Sequence, residues 1–298
     1  MMKKTGFIAI VGRPNVGKST LLNALLGEKV AIVSNKPQTT RTRITGILTK
    51  GENQFVFLDT PGMHNPRNRL GEYMIKTVSS AIGDVDAALL VVECGSRPTS
   101  VERNFLQRFD QLGLPVILII NKIDMGNAAK VAETITAYAA EYKDYASVIP
   151  ISAAKNDGVD IVLDEVEQFL DEGEWYFDED EFTDQPERQI ASEIIREKLL
   201  RSLNEEVPHG IAVVIEAFEE SSRIIKIRAE IFCEKESHKG IIIGKHGETL
   251  KMIGSRARED LERFFDAKVY LDLWVKVKVK WRDSPAYLHN FGYDEKDI

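Results

Sequence analysis

The sequence predicts a doubly wound α/β domain followed by a smaller α+β domain. Strand-like and helix-like segments alternate from Phe7 to Leu170, which is the order of a parallel sheet wrapped by helices. The continuous apolar run Pro115–Ile120 is typical of a parallel strand covered on both faces. Beyond an acidic segment that ends near Glu187, the predicted order changes to α-β-β-α-α-β. We therefore expect two domains of different architecture.

Composition limits the class of protein. The 298 residues are 43% hydrophobic and 29% charged, as in soluble globular proteins, and allow two domains. The net charge of −8 argues against a protein that coats nucleic acid by charge alone, so any RNA site must be a local patch. The two cysteines, Cys94 and Cys233, fall in predicted strands, and we expect buried, reduced thiols of a cytoplasmic protein.

A phosphate-binding loop follows the first predicted strand. Residues 12–19 fit the pattern G-x-x-x-x-G-K-[ST] between the apolar run Phe7–Val11 and the helix-like run Ser19–Leu26. The two glycines of the pattern let backbone N–H groups face phosphate oxygens at a helix N-terminus. We expect Lys18 to reach the β- and γ-phosphates and Ser19 to bind Mg²⁺. The predicted phosphate-binding residues are Gly12, Arg13, Pro14, Asn15, Val16, Gly17, Lys18, Ser19 and Thr20.

Two later segments complete the predicted metal site. The polar segment Ser34–Arg43 is either an ordinary loop or one that a ligand orders, and Thr39 or Thr40 can join the Mg²⁺ shell. The predicted strands Ile44–Thr49 and Phe55–Leu58 then lead into Asp59-Thr-Pro-Gly62. Asp59 is placed to hold Mg²⁺ through water, and Gly62 to offer its N–H to a γ-phosphate.

The predicted base-binding residues follow the last strands of the domain. Asn121-Lys-Ile-Asp124 stands at the carboxyl end of the strand Pro115–Ile120, where ligands bind in open α/β sheets. Asp124 can accept both hydrogen bonds that guanine offers and adenine does not. We expect Lys122 to pack on the base and Asn121 to join the loops; the alternative is a solvated turn. The backbone of Ser152-Ala153, after the strand Ser147–Ile151, is expected at the guanine oxygen.

Together these motifs resemble those of the translation-factor-related GTPases, and Gln38-Thr-Thr-Arg-Thr42 is similar to the switch of their Era-like branch. The resemblance implies Mg²⁺-dependent hydrolysis of GTP to GDP and phosphate. Met63 stands where Ras-like enzymes carry a water-positioning Gln, and a thioether cannot orient water. Asn15 resembles the loop Asn of relatives that recruit K⁺, so the resemblance implies slow, K⁺-stimulated hydrolysis.

The segment Asp171–Glu187 is acidic, contains no Lys or Arg, and is read as the domain boundary. We predict a first domain over residues 1–172, a linker over 173–187 and a second domain over 188–298. The linker is either simply solvated or supplies carboxylates that cover a basic surface in one nucleotide state.

The second domain contains a short loop suited to RNA. Gly244-Lys-His-Gly247 lies between helix-like segments, so its glycines allow a phosphodiester backbone to approach. Lysines alternate with valines over residues 275–280 and are predicted to line one face of an extended strand; protection of a sheet edge is the alternative. The predicted RNA-binding residues are Ile243, Gly244, Lys245, His246, Gly247, Lys276, Lys278 and Lys280. In this element order the segment resembles a type II KH domain.

The combined resemblance, a P-loop GTPase of the Era-like family followed by a KH domain, covers nearly the whole chain. It implies a GTP-hydrolysing switch that binds the 3′ end of small-subunit rRNA and acts in small ribosomal subunit assembly. We expect a monomer. The resemblance also implies peripheral contact with the inner face of the cell membrane, which no residue of this sequence indicates. Two alternatives stay open: a membrane-associated cell-cycle signalling GTPase, and a non-catalytic RNA-binding module that uses nucleotide only for stability.

Overall fold

The computed structural model describes residues 2–63, 66, 68–221 and 223–293. The first unit contains the strands β1 (Lys4–Val11), β2 (Ile44–Lys50), β3 (Asn53–Asp59), β4 (Ala87–Glu93), β5 (Val116–Asn121), β6 (Ser147–Pro150) and β7 (Asp171–Glu172). Its helices are α1 (Lys18–Leu26), α2 (Arg69–Ala81), α3 (Ser100–Leu112), α4 (Ala128–Glu141) and α5 (Val159–Glu167).

The strands of this unit form one sheet in the order β2-β3-β1-β4-β5-β6, with β7 beside β1. The strand β1 pairs in parallel with β3 and β4, whereas β2 is antiparallel to β3. Apolar clusters cover both faces: α1 and α5 pack on one, and α2, α3 and α4 on the other. Because both faces are covered, residues 87–92 and 116–120 are fully buried, which explains their continuous apolar sequence.

The second unit contains the helices α6 (Glu187–Ser202), α7 (Glu236–Ile243), α8 (Glu248–Phe265) and α9 (Pro285–Asn290). Its strands are β8 (Ala212–Glu220), β9 (Ile225–Cys233) and β10 (Val269–Val277), in the order β10-β9-β8. The strand β9 is parallel to β10 and antiparallel to β8. Alternate residues of β9 face the helices and are buried, namely Ile225, Ile227, Ala229 and Ile231. The predicted α-β-β-α-α-β order is confirmed, and α9 extends it.

The acidic segment between the units is bound to the first sheet. The backbone N–H of Ile47 in β2 donates to the carbonyl of Phe182, and the Thr183 hydroxyl donates to the carbonyl of Thr45. The amide of Gln54 bonds the backbone of Phe177 as both donor and acceptor. The side chains of residues 178–180 stay exposed. The segment is therefore attached to the first sheet through its backbone and the Thr183 hydroxyl, while the acidic side chains of residues 178–180 are solvated. The predicted domain bounds stay a prediction.

The two units touch along an apolar contact between α2 and the end of the chain. Leu70, Tyr73 and Met74 of α2 pack in one cluster with Trp281 and Tyr293. Trp281 is fully buried, and its indole N–H donates to the carbonyl of Gly210. Burial of large aromatic side chains dominates contacts of this kind. Within the described ranges, no helix is both long and apolar enough to cross a bilayer.

Candidate nucleotide and RNA sites

The phosphate-binding loop depends on its glycines. Gly12 and Gly17 have φ of 149° and 103°, and Gly17 is the N-cap of α1. A Cβ at Gly12 would lie 2.3 Å from the carbonyl oxygen of Val91, and one at Gly17 would lie 2.2 Å from Nδ2 of Asn121. Only glycine therefore fits this turn, which presents N–H groups at the start of a helix.

Lys18 lies buried against the loop, where its ammonium donates to the carbonyls of Gly12 (3.2 Å) and Arg13 (3.0 Å). Burial lowers the pKa of Lys18 to about 8, and the charge of Asp59 opposes that shift. A bound phosphate would supply the anionic partner that favours the charged lysine.

Three oxygen ligands converge beside Lys18. The Ser19 hydroxyl lies 2.8 Å from Oγ1 of Thr40 and 2.5 Å from Oδ2 of Asp59. The Thr39 hydroxyl is instead bonded to Ser34 and to the carbonyl of Lys36. Of the two threonines that the sequence left open, Thr40 is therefore the one at this cluster.

The cluster fits Mg²⁺, which prefers hard oxygen ligands. Burial raises the pKa of Asp59 to about 6, against the opposing charge of Lys18. Its second oxygen, Oδ1, is buried and has no hydrogen-bond partner among the described residues. A divalent cation at this position would favour the ionised carboxylate and neutralise charge on the phosphates.

The loop residues between the two glycines point in different directions. The side chain of Arg13 turns away from the phosphate position and pairs with the fully buried Glu102 of α3. The Asn15 amide donates to the carbonyl of Asn35 at 3.1 Å, which joins the loop to the polar segment. Pro14 lies against Gly62, where an added Cβ would be 2.6 Å from the Cα of Pro14. Beside the loop lies a cavity of about 470 Å³, whose lining includes Pro14, Asn15, Gly17, Lys18, Ser19, Thr20, Thr39, Thr40, Gly62 and Lys122.

The predicted base site is built around one buried amide. Asn121 donates from Nδ2 to the carbonyl of Val16 (2.9 Å) and accepts at Oδ1 from the backbone N–H of Ala153 (3.0 Å). It thereby ties the phosphate loop to the segment after β6. The Ser152 hydroxyl donates to Oδ1 of Asp124 at 2.7 Å and so orients the carboxylate expected to read guanine. Lys122, at φ 65°, pairs with Glu93.

Met63 contributes no polar group. Its side chain packs against the apolar cluster of β1, β4 and β5. That Met63 does not position water stays a prediction.

In the second unit, the turn between α7 and α8 carries the Gly-Lys-His-Gly segment. Gly244 has φ 75°, and a Cβ there would lie 2.1 Å from Oγ1 of Thr249. Lys245 and His246 are exposed. An adjoining groove of about 400 Å³ runs between α8 and the edge strand β10 and is lined by Gly247, Leu250, Lys251, Gly254, Ser255, Arg258, Leu271 and Leu273. The groove combines cations with apolar walls, which suits single-stranded RNA.

Lys251 and Arg258 were missed by the sequence reasoning. They follow Gly247 by four and eleven residues, and helical spacing puts both on the face of α8 that lines the groove. That spacing, counted from the second glycine, was the available signal.

The predicted lysine stripe is wrong as a single strand face. The strand β10 ends at Val277, so only Lys276 lies in it, and its ammonium pairs with Glu230. The ammonium of Lys278 lies over the ring of Tyr287, at 5.3 Å from the centroid. Lys280 has φ 53° in the turn before Trp281. The strand stops here because the chain must turn to bury Trp281.

The polar segment Ser34–Arg43 also contacts the second unit. Arg41, which is 2% exposed, donates from Nη1 to the carbonyl of Ile211 (2.6 Å) and from Nη2 to that of His209 (3.1 Å). Its guanidinium lies 5.8 Å from the ring centroid of Trp281. From the other side, Arg196 of α6 donates to the carbonyl of Thr39.

A buried carboxylate holds the start of the same segment. Glu197 of α6, fully buried, accepts from the backbone N–H of Val33 at 3.0 Å and from the Lys29 ammonium at 2.7 Å. Lys29 and Lys198 both bind Asp260 of α8. The helix α6 thus joins the segment beside the oxygen cluster to α8, the helix that lines the groove next to β10.

Known proteins share both halves of this arrangement. The family model described as 50S ribosome-binding GTPase matches residues 7–122, and that of the KH domain matches residues 206–282. GTPase Era of Ruminiclostridium cellulolyticum is 50% identical over 294 residues, 98% of each chain. GTPase Era of Clostridium novyi is 50% identical over 295 residues, 99% of this chain and all of the relative.

Solved structures agree over the same length. A crystal structure of Era in complex with MgGDPNP and nucleotides 1506–1542 of 16S ribosomal RNA has a TM-score of 0.94 at 41% identity, and covers 98% of this chain and 99% of that one. A variant of Aquifex aeolicus Era bound to GDP and AlF₄⁻ has a TM-score of 0.93 at 42% identity, over 97% and 99%. The chain therefore belongs to the Era family and is a GTPase, with a Mg²⁺- and guanine-nucleotide-binding P-loop domain followed by a KH domain.

Proposed function

We propose that this GTPase binds the 3′ end of small-subunit rRNA through its KH domain, with GTP controlling that binding, and that it acts in small ribosomal subunit assembly. The contact of Thr39 and Arg41 with the KH domain carries the proposal. These two residues flank Thr40, so a γ-phosphate and Mg²⁺ that order Thr40 also order both contacts.

The RNA half of the proposal is supported by a relative and by the groove. Era crystallised with MgGDPNP and nucleotides 1506–1542 of 16S ribosomal RNA, and it superimposes over nearly the whole chain. Here, Lys251 and Arg258 supply positive charge in a chain whose net charge is −8, while Leu271 and Leu273 offer apolar surface to unpaired bases. RNA recognition by this groove therefore rests on a local patch.

The nucleotide roles proposed for the first domain follow the geometry. Ser19, Thr40 and Asp59 hold Mg²⁺ directly or through water, and Lys18 and the N–H groups of the loop hold the phosphates. Asp124 reads guanine while Ser152 orients it.

We propose K⁺ as the activator of hydrolysis. The Asn15 amide nitrogen donates to the carbonyl of Asn35, and both residues line the nucleotide cavity with Lys18. A cation bound by Oδ1 of Asn15 and the carbonyl oxygen of Asn35 would lie beside the phosphates. A positive charge there stabilises negative charge that develops in the transition state, the task that an arginine finger performs elsewhere.

The test is the affinity for a short oligonucleotide that copies the 3′ end of small-subunit rRNA, in K⁺ buffer at fixed salt. A non-hydrolysable GTP analogue is compared with GDP. We expect at least tenfold tighter binding with the GTP analogue, about 1.4 kcal/mol of coupling between the sites. Equal affinities would show a KH domain that binds RNA without nucleotide control. No binding in either state would overturn the rRNA assignment.

A further inference from the structure

A further cavity, lined by charged and apolar side chains, lies at the junction of the two domains, outside the linings of the two sites described above. It measures about 230 Å³ and is bounded by the segment after Thr40, the first turns of α6, the strand β8 and residues 290–293. Three arginines line it, Arg41, Arg188 and Arg196, together with Gln189, Ser192 and Asn290.

The charges around this cavity are unbalanced. Glu193 is the carboxylate among the described lining residues, and both of its oxygens already accept hydrogen bonds from Arg196. Arg41 donates to neutral acceptors: two carbonyls and the hydroxyl of Tyr293. Nearby Glu197 is engaged by Lys29, Lys198 and Arg201. Among the residues that the structure describes, three guanidinium groups therefore line the cavity with one carboxylate.

Two of these arginines are also incompletely hydrogen-bonded. Arg41 and Arg196 are 2% and 1% exposed, and Nε of Arg41 and Nη1 of Arg196 have no hydrogen-bond partner in the described part of the chain. A buried N–H group without an acceptor costs about 1–3 kcal/mol, and more when it is charged. Burial also lowers the pKa of Arg41, and the neighbouring charge of Arg196 acts in the same direction.

We propose that this junction cavity is an anion site that binds a phosphate group. Guanidinium groups match phosphate oxygens in pairs, and Gln189, Ser192 and Asn290 supply neutral donors around them. Because the lining comes from both domains, the bound anion stabilises their docked arrangement. Arg188 lines the cavity and is exposed, so its charge is accessible to an anion in solution. The phosphate is either free or part of an RNA backbone.

The test titrates inorganic phosphate, at constant ionic strength, into the full chain saturated with Mg²⁺ and a non-hydrolysable GTP analogue, so that the nucleotide site is occupied. Arginine Nε–H resonances of ¹⁵N-labelled protein report binding. The variant Arg188→Gln removes one cavity charge from an exposed position. The control Arg108→Gln removes an exposed charge from α3, outside this cavity. We expect saturable shifts in wild type and in the control, and at least fivefold weaker binding in Arg188→Gln.

A second arm separates the two sources of phosphate. If Arg188→Gln also weakens binding of the rRNA oligonucleotide threefold or more, the site holds an RNA phosphate; if RNA affinity is unchanged, it holds a free one. Linear, unsaturable shifts, or equal phosphate affinity in wild type and Arg188→Gln, would overturn the anion site. The phosphate titration contains no RNA, so its result does not depend on whether nucleotide controls RNA binding. Failure of the anion site can therefore be told apart from failure of the proposed function.

Discussion

Nη1 of Arg41 lies 2.6 Å from the carbonyl oxygen of Ile211, so the residue after Thr40 is bonded to the KH domain. Thr40 itself lies at the oxygen cluster with Ser19 and Asp59. Thr40, the proposed Mg²⁺ ligand, is therefore adjacent in the chain to a residue that contacts the KH domain. Such a short connection lets a local change of the switch segment move the KH domain.

Replacing Arg41 with Ala should uncouple the two domains. The variant loses hydrogen bonds to His209 and Ile211, so we expect the preference of RNA binding for the GTP form to fall to less than twofold. Fluorescence anisotropy with a labelled rRNA oligonucleotide measures this ratio. The control is Arg43→Ala, an exposed arginine two residues later. If Arg41→Ala keeps the wild-type preference of RNA binding for the GTP form, the Arg41 contact does not couple the two domains.

Asn15→Ala should remove the response of hydrolysis to K⁺. The Asn15 amide nitrogen donates to the carbonyl of Asn35, and Oδ1 of Asn15 and that carbonyl oxygen are the proposed ligands of the cation. We expect wild-type turnover to rise in K⁺ relative to Na⁺ at equal ionic strength, and the variant to show equal rates in both. Single-turnover phosphate release measures the rates. Full K⁺ stimulation in Asn15→Ala would refute the site.

Asp124→Asn should change which base is bound. An amide cannot accept the two hydrogen bonds from guanine, and it offers a donor to the extra carbonyl of xanthine. We expect GTP affinity to fall at least 100-fold, about 2.7 kcal/mol, and XTP affinity to rise. Displacement of a fluorescent nucleotide measures both affinities, with exposed Asp144→Asn as control. Unchanged GTP affinity would remove Asp124 from the base site.

Asp260→Asn should lower stability in a pH-dependent manner. Burial opposes ionisation of Asp260, but hydrogen bonds from Lys198 and Lys29 outweigh it and lower the pKa of Asp260 to about 2, from its ordinary value of 3.8. Its contribution is therefore complete above the unfolded-state pKa and is lost as the pH falls toward 2. Allowing for partial exposure, we expect a loss of about 1–2 kcal/mol at pH 7.

Urea unfolding at pH 7, 5 and 3 checks this expectation. The deficit of Asp260→Asn should be constant from pH 7 to pH 5 and smaller at pH 3. Glu259→Gln, which changes an exposed neighbour on α8, is the matched control. A deficit that persists undiminished at pH 3 would show that the charge of Asp260 is not its source.

Lys251→Ala and Arg258→Ala should weaken RNA binding through lost phosphate contacts. For single strands, each lost contact lowers the magnitude of the slope of log K against log salt by about 0.7. Exposed Arg256 lies on the same helix outside the groove lining, so Arg256→Ala should leave the slope unchanged. Binding curves at four salt concentrations measure the slope for each variant. If all three variants have the wild-type slope, the RNA binds elsewhere on the protein.

Several parts of the molecule could be predicted because the relevant signal is local. The pattern of residues 12–19 dictates its own turn, since both glycines adopt positive φ against neighbouring backbone or side-chain atoms. The continuous apolar run of β5 likewise indicates a strand covered on both faces of its sheet. The alternation of apolar and polar residues in β9 indicates a strand covered on one face. The lysine stripe failed because nothing in its alternation reveals that Trp281 must turn inward two residues after Val279.

The sequence by itself determined the order of elements, the glycines of both loops and the chemical types at the nucleotide site, because short-range backbone sterics and apolar periodicity set them. Only the tertiary structure decided that Thr40 rather than Thr39 meets Ser19, that Arg41 reaches Ile211, and that three arginines surround one junction cavity. These contacts join residues up to 252 positions apart, as with Arg41 and Tyr293, and depend on how the two domains pack. No local pattern in the chain carries that information.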